Sequence, residues 1–325
     1  MTLGRWLVTG GAGYIGAHVV RTLRASGGAA VVVDDLSTGD ARRVPPDVDL
    51  EVGTVVDAAF LTRVLQKVRP TGVIHLAGKK SPTESMADPE LYARENVGGV
   101  IGLLRALRAT DCPAVVFSSS CSVYGAPDVD LVDEDAPTLP VSPYGDSKLY
   151  GERILNAAGV AHGLGVVNLR YFNVVGAASP ELGDTGEYNL IPRVFGALRS
   201  GTPVSVHGDD YPTDDGTCVR DYVDVEDLAA AHVRAAEVLA TGPRMATYNV
   251  GRSTGSSVLE VLDTVAAVAG MPVPREIGDR RPGDPARIVG RAERISRELG
   301  WTAQRTLRDM VRSAWEAERQ AHALV

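Results

Sequence analysis

Apolar residues in the first half of the chain come in short unbroken runs, not in the every-other-residue pattern of a sheet with one wet face. Arg5-Trp6-Leu7-Val8-Thr9, Ala29-Ala30-Val31-Val32-Val33, Gly72-Val73-Ile74-His75-Leu76 and Ala114-Val115-Val116-Phe117 each predict a strand buried on both sides. A shorter stretch near 49–53 predicts one more, and a sixth strand ends near Tyr171. Between them the pattern predicts helices from Gly16 through Leu23, over 58–68, over 90–109 as one long helix, and from Tyr144 onward. Strands alternating with helices at this spacing predict an α/β fold with a Rossmann-like, doubly wound parallel sheet. Further on, a helix over 224–240 and the strand Tyr248-Asn249-Val250 are expected to return to that sheet. The domains are therefore interwoven: 1–172 with about 222–252 form the sheet unit, and 173–221 with 253–325 a smaller, mixed α/β lobe. An amphipathic helix near 306–320 is expected to pack on that lobe.

Ligands of such sheets bind beyond the carboxyl ends of the strands. The residues expected there are the Gly10–Gly16 turn, Asp34, Ala77 to Lys80, Ser118 to Ser122 and Tyr171 to Asn173. Gly10, Gly13 and Gly16 stand between a strand and a helix, where small residues let the backbone approach a pyrophosphate and free N–H groups face it. Asp34 ends the second strand, where a carboxylate accepts from adenosine ribose hydroxyls and repels a 2′-phosphate, which favours NAD over NADP.

Composition narrows the picture further. The 325 residues carry a net charge of −8, which argues against a nucleic-acid surface, and no apolar run approaches the length of a membrane span. The N-terminus enters a strand without a signal-peptide layout, and Cys112, Cys121 and Cys218 are scattered with no Cys-x-x-Cys, so a cytoplasmic protein with neither disulfide framework nor metal site is expected. There are only four lysines against 29 arginines. One of them, Lys148, lies four residues after Tyr144 and so shares its helix face. A cation beside a phenol stabilises the phenolate, so the Tyr144 pKa is expected to fall towards the working pH, as a general base requires.

These residues add up to a recognisable pattern. Thr9-Gly10-Gly11-Ala12-Gly13-Tyr14-Ile15-Gly16, His75-Leu76-Ala77-Gly78, Phe117-Ser118-Ser119-Ser120, Ser142-Pro143-Tyr144-Gly145, Leu169-Arg170-Tyr171-Phe172-Asn173, Tyr211 to Tyr222 and Arg280-Arg281-Pro282-Gly283-Asp284 resemble the extended short-chain dehydrogenase/reductase family, within it the UDP-hexose 4-epimerases. The resemblance covers essentially the whole chain. It implies an isomerase that interconverts UDP-galactose and UDP-glucose through a transient 4-keto sugar, with NAD held throughout. It implies that Tyr144 is the base, Ser120 a proton relay, and Lys148 the cation that lowers the tyrosine pKa and holds the nicotinamide ribose. The remaining cofactor contacts it implies are Gly10, Gly13, Tyr14, Ile15, Gly16, Asp34, Asp35, Leu36, Ser37, Thr38, Gly39, Thr54, Val55, Leu76, Ala77, Gly78, Lys80, Asn96, Ser118 and Tyr171. For the UDP-sugar it implies Lys80, Ser120, Tyr144, Asn173, Asn189, Leu190, Val206 and His207, with Arg220 and Arg281 as a diphosphate clamp, Asp284 on the uridine ribose and Arg287 at the wall near the sugar C2 substituent. It also implies a homodimer built on helices equivalent to 91–109 and 145–163.

The chain departs from the family pattern in three places, one of them a segment from Arg280 to Arg287 that is one residue shorter than in some relatives. Thr54 stands where an Asp usually meets the adenine amine, with the Val55 backbone as a substitute, and His207 where an aromatic ring stacks on uracil. Three other functions compete. A 4,6-dehydratase needs an Asp-Glu acid pair after the serine strand, and Cys121-Ser122 stands there. A 4-epimerase of another sugar nucleotide (UDP-glucuronate, a UDP-N-acetylhexosamine or a UDP-pentose) fits the same residues. An inactive dinucleotide-binding sensor would usually have lost the Tyr or the Lys.

Overall fold

The computed structural model describes residues 3–186, 189–281 and 283–322, so Pro282 of the Arg280–Asp284 motif lies outside the described residues, as do both chain ends. From the start, the chain lays down β1 (Arg5–Thr9), α1 (Tyr14–Ala25), β2 (Ala29–Asp34), β3 (Asp49–Val52), α2 (Ala58–Val68) and β4 (Gly72–His75). Two short helices follow, α3 (Pro82–Ala87) and α4 (Pro89–Tyr92), then α5 (Gly98–Ala109), β5 (Ala114–Ser120), α6 (Pro143–His162) and β6 (Gly165–Tyr171). The remainder comprises β7 (Asn173–Val175), α7 (Leu190–Ser200), β8 (Val204–His207), β9 (Val219–Asp224), α8 (Val225–Thr241), β10 (Met245–Val250), β11 (Gly255–Ser257), α9 (Val258–Ala269), β12 (Arg275–Gly278), β13 (Arg287–Ile288), α10 (Glu293–Leu299) and α11 (Leu307–Ala321).

Seven strands form one parallel sheet in the order β10-β6-β5-β4-β1-β2-β3. The chain winds outward from β1 through β2 to β3, then returns to β4 on the other side of β1, so the order reverses between β1 and β4 and a crevice opens there. Alternation within β1 explains the two cores. Trp6 and Val8 face the layer of α1 and α8 with Val19, Leu23, Leu228 and Tyr248, whereas Leu7 faces α2, α5 and α6 with Leu61, Leu65, Leu103 and Leu155. Both layers are apolar, hence the unbroken hydrophobic runs.

The second lobe is built on β9, which pairs antiparallel with β11 and parallel with β13 and β7. A two-stranded ribbon of β8 and β12 lies beside it. α7, α9 and α11 bury Val194, Phe195, Leu262, Met310 and Trp315 on this lobe. β10 pairs with β6 in the large sheet, and α8 packs on α1, so the segment after β9 crosses back to the first unit.

The helix expected as one piece over 90–109 is interrupted. α4 passes into a π-helical turn at Ala93–Val97 before α5 begins. The wider turn inserts one residue and rotates Asn96 inward, where its amide finds polar partners that a regular helix would have faced away from.

Candidate active site

The glycine turn is shaped for close approach. Gly10 has φ +72°, and a Cβ on Gly16 would stand 2.1 Å from the Gly10 carbonyl oxygen, so α1 can begin this near β1 only without side chains. α1 has no side-chain cap at Gly13, which leaves its first N–H groups, those of Tyr14 and Ile15 among them, open to an anion. Asp34 Oδ2 accepts from Ala12 N–H at 2.9 Å and Oδ1 from Leu36 N–H at 2.9 Å. Burial raises its pKa, against the pull of those two N–H groups. Each oxygen keeps a free lone pair for a ribose hydroxyl. Leu36 itself sits at φ 59°, and the Asp35 carboxylate accepts from Ser37 N–H, so the Asp35–Gly39 turn is closed by its own side chains. A Cβ on Gly39 would meet Asp34 Oδ1 at 2.7 Å. The residues present therefore fit a dinucleotide.

Other expected cofactor residues have structural partners of their own. The Tyr14 phenol is buried and donates to Gly176 O at 2.6 Å, which ties α1 to the loop after β7. Thr54 Oγ1 accepts from Val56 N–H, and Val55 is packed in the core between the sheet and α5. Ala77 N–H reaches Thr9 Oγ1, and Gly78 at φ +152° leaves no room for a Cβ against Asn96. Asn96 accepts from Lys79 N–H at 2.7 Å and donates to Lys79 O and Ser147 Oγ, so it holds the loop after β4 against α6. Lys80 Nζ lies 3.6 Å from Asp184.

At the tip of β5 the sequence Ser118-Ser119-Ser120 meets the first turns of α6, which starts with the Ser142 N-cap and Pro143. Tyr144 and Lys148 are both buried there. Lys148 Nζ donates to Ser118 O at 2.9 Å and lies 5.9 Å from the Tyr144 ring centre and 5.3 Å from that of Phe117. The expected fall in the Tyr144 pKa is not found. Burial pushes the phenol up to about 12, with the facing Ser120 hydroxyl pulling the other way. Burial also brings Lys148 down to about 8. Desolvation dominates at both groups, and the ammonium is tethered to the Ser118 carbonyl and not to the phenol. Ser120 Oγ donates to Ser122 Oγ and accepts from Ser122 N–H, and Tyr171 stands nearby with its pKa raised by burial and by Tyr144.

Sequence reasoning missed the polar frame behind these groups. Glu152, one helical turn beyond Lys148, makes a buried ion pair with Arg170 of β6 (2.7 Å) and accepts from Ser119 Oγ. Arg170 also donates to Tyr124 Oη and Glu134 O, and Tyr124 Oη donates to Asn249 Oδ1. The i,i+4 spacing from Lys148 to Glu152 was the available signal. His75 was read as part of an apolar strand. It stacks on Phe117, bonds Thr9 Oγ1 at 2.7 Å, and is held neutral by burial, which takes its pKa to about 3.

On the second lobe, Asp284 takes both expected clamp arginines. Its Oδ1 accepts from Arg220 at 2.6 Å and its Oδ2 from Arg281 at 2.8 Å. Arg220 is partly buried and Arg281 half-exposed, so the pair forms a cradle with one wetter side. Cys121 lies between this cradle and the phenol, within electrostatic reach of Tyr144, Arg220 and Asp221. Asn173 donates to Asp221 O, and Asn189, at the start of α7 beside Leu190, donates to Asp184. Val206 points its side chain into the lobe core and pairs with Ile277 in the β8–β12 ribbon, while His207 at the end of β8 is partly exposed. Arg287, expected at the wall near the sugar C2 substituent, is engaged by the loop after β5: Nε donates to Asp130 O at 3.2 Å, and the Asp130 carboxylate is 3.9 Å away. Among the described residues no His, Cys, Asp and Glu cluster fits a metal ion, and no helix is long and apolar enough to cross a membrane.

Three comparisons agree with this architecture. The chain is 45% identical over 322 residues to the UDP-glucose 4-epimerase of Azospirillum brasilense, covering 97% of this chain and 92% of that protein. The crystal structure of UDP-glucose 4-epimerase from Brucella ovis in complex with NAD matches with a TM-score of 0.92 and 39% identity, over 96% of this chain and 97% of that one. The Bifidobacterium longum UDP-glucose 4-epimerase, solved with NAD+ and UDP, matches with a TM-score of 0.91 and 36% identity over 98% and 99%. The NAD dependent epimerase/dehydratase family profile matches residues 6–251, through the glycine turn, the Ser120–Tyr144–Lys148 corner and the return of β10 to the sheet, and the chain belongs to that family.

Proposed function

We propose that this chain is an NAD-dependent UDP-glucose 4-epimerase that interconverts UDP-galactose and UDP-glucose through a 4-keto sugar. The observation that carries the reading is the buried Ser120–Tyr144–Lys148 corner at the carboxyl end of β5 together with the Arg220–Asp284–Arg281 cradle, with Cys121 near both Tyr144 and Arg220. A base facing an anion clamp suits a substrate anchored by its diphosphate while its sugar reacts.

Bound NAD supplies a reversible hydride acceptor. The turn from Gly10 to Gly16 and the α1 N-terminus would hold its pyrophosphate, and Asp34 its adenosine ribose. Tyr144 takes the proton of the sugar 4′-hydroxyl and returns it after the keto-sugar has presented its other face. Ser120 sits where it can pass that proton, and Lys148 opposes the cost of phenolate by its charge. Arg220 and Arg281 keep hold of the diphosphate during the turn, for which a guanidinium fork is suited. Asp284, Asn189, Leu190 and His207 line the place for the nucleoside.

Residues 1–172 with about 222–252 act as the cofactor unit, and 173–221 with 253–325 as the substrate lobe. Ile101 on α5 and Tyr150 on α6 are apolar and exposed on adjacent helices, which supports a homodimer through that pair. Light scattering gives its mass directly; a monomer would remove the dimer from the reading. The catalytic test is to incubate purified protein with UDP-galactose and no added cofactor. UDP-glucose should accumulate, and denatured protein should release NAD. No conversion, with added NAD also without effect, would overturn the assignment.

A further inference from the structure

The stretch from Gly176 to Gly186 follows β7 on the second lobe, and side chains of the first unit hold it along its length. The Tyr14 phenol donates to Gly176 O at 2.6 Å. His18 stands one turn further along α1, is 1% exposed, and its Nδ1 lies 2.8 Å from Tyr14 O. A carbonyl only accepts, so Nδ1 carries the proton, and burial keeps the ring neutral. Nε2 is then a bare acceptor, and it takes the Ala178 N–H at 3.1 Å. Further on, the buried Arg43 sends Nη2 to Gly183 O at 2.8 Å. Lys80 Nζ stands 3.6 Å from Asp184 beyond it.

These anchors sit on the two elements that would hold the dinucleotide. Tyr14 and His18 belong to the helix whose N-terminus is open to the pyrophosphate. Arg43 closes the short helical turn that follows Asp34 and the Asp35–Gly39 turn on the adenosine side. The two elements are also tied to each other: Arg21 of α1 donates to Arg43 O at 2.6 Å, and Asp40 N–H to Ala12 O at 3.0 Å. We propose that residues 176–186 form a strap through which the substrate lobe retains NAD, with His18 and Arg43 as the positioning residues that fasten it. A ligand gripped between a helix N-terminus and a turn leaves faster when the two can part, and the strap adds bonds that such parting must break. The polar atoms of His18 named here are spent on protein groups, so it acts on the residence of the cofactor and not by touching it. The inference rests on the NAD-dependent reading of the site; a reaction that regenerates its cofactor at every turn gains from a slow exit.

Exchange of bound NAD for labelled NAD tests the strap on the loaded enzyme without any turnover. Arg43→Met keeps the apolar stem and removes the donor, and exchange should quicken on the order of 10-fold or more, the scale of one charge-assisted hydrogen bond. His18→Leu loses a neutral bond and should quicken it roughly 2- to 10-fold. His18→Gln offers an acceptor to the same N–H and should recover most of that loss. Leu262→Ala hollows the core of the same lobe, so it should lower Tm at least as far and leave exchange near wild type. Exchange rates that follow Tm across the set would reduce both residues to general stability and overturn the proposal. Wild-type exchange in Arg43→Met, or equal losses in the Gln and Leu variants of His18, would overturn it as well. Should one of the two positions fail to yield folded protein, the other decides against Leu262→Ala. A wild type that holds NAD and shows these rates but is inactive on UDP-galactose would count against the reaction assigned and leave the strap standing. A wild type that holds no dinucleotide would overturn the strap together with the cofactor reading.

Discussion

Lys148 points its ammonium at the carbonyl of Ser118, 2.9 Å away, and stands 5.9 Å from the centre of the Tyr144 ring. The cation is fixed by the strand and acts on the phenol through space. Tyr144 thus depends on several groups at once for its activation, but only its own oxygen can carry the proton. Tyr144→Phe should keep the fold and the bound NAD and lower kcat by about 10²–10⁴-fold, the usual contribution of a general base. Turnover near wild type would move the role to Ser120, whose hydroxyl faces the ring.

Lys148 gives a pH prediction. Its ordinary pKa of 10.5 falls to about 8 on burial. Between those values the unfolded chain holds a proton that the folded chain has released, so stability rises with pH across that window. Below about pH 8 the fold carries the full cost of a buried ammonium. Lys148→Met removes that cost, so at matched NAD content it should melt above wild type at pH 7, and the gap should narrow as pH rises past 8. Calorimetry from pH 7 to 10 decides it. A wild type that is the more stable throughout would mean that the bond to Ser118 O exceeds the desolvation.

The legible part of this molecule is what repeats or sits at strand ends. Unbroken apolar runs gave β1, β2, β4 and β5, and the positions of Gly10, Asp34, Ser120 and Tyr144 followed from where those strands stop. The Tyr144–Lys148 spacing gave proximity but not the balance of forces, because burial of a side chain depends on residues distant in sequence, such as Phe117 and Tyr92 packed around the pair. The π-turn at Asn96 was hidden for a different reason. An inserted residue turns the following face by about 100°, but α4 before it spans only four residues, too few to show a period of its own. Arg170, Glu152 and Asn249 lie on three separate elements, and only tertiary assembly makes them one network.

The cradle on the second lobe separates two arginines that look alike in sequence. Arg220 is partly buried against Asp284, with much less of its side chain exposed than that of Arg281, which reaches the same carboxylate from solvent. A charge-assisted hydrogen bond lost from a desolvated position is worth about 1.5–3 kcal/mol, roughly 10- to 10²-fold in affinity, and less from an exposed one. Arg220→Ala should therefore raise the Kd for UDP more than Arg281→Ala, with kcat falling less than affinity in both. Calorimetric titration with UDP checks this. Unchanged affinity in both variants would remove the diphosphate from this cradle.

Substrate range turns on Arg287. If its guanidinium lay across the sugar pocket, shortening it would admit an acetamido group at C2, and if it paired with a carboxylate, shortening it would cost a uronic acid. The structure instead gives its Nε to the Asp130 carbonyl at 3.2 Å, on the loop after β5. Asp130 is almost fully exposed, so their charge pairing is weak and serves at most to hold that loop. Arg287→Ala should then change kcat/KM for UDP-galactose, UDP-N-acetylgalactosamine and UDP-glucuronate by one common factor and leave their ratios within about two-fold, since a surface pair contributes under about 1 kcal/mol. Selective recovery of the N-acetyl sugar in the variant would place the side chain in the pocket during turnover, and selective loss of the uronate would give its charge a role in recognition. Either result would require Arg287 to leave the Asp130 carbonyl, its hydrogen-bond partner here, when substrate binds.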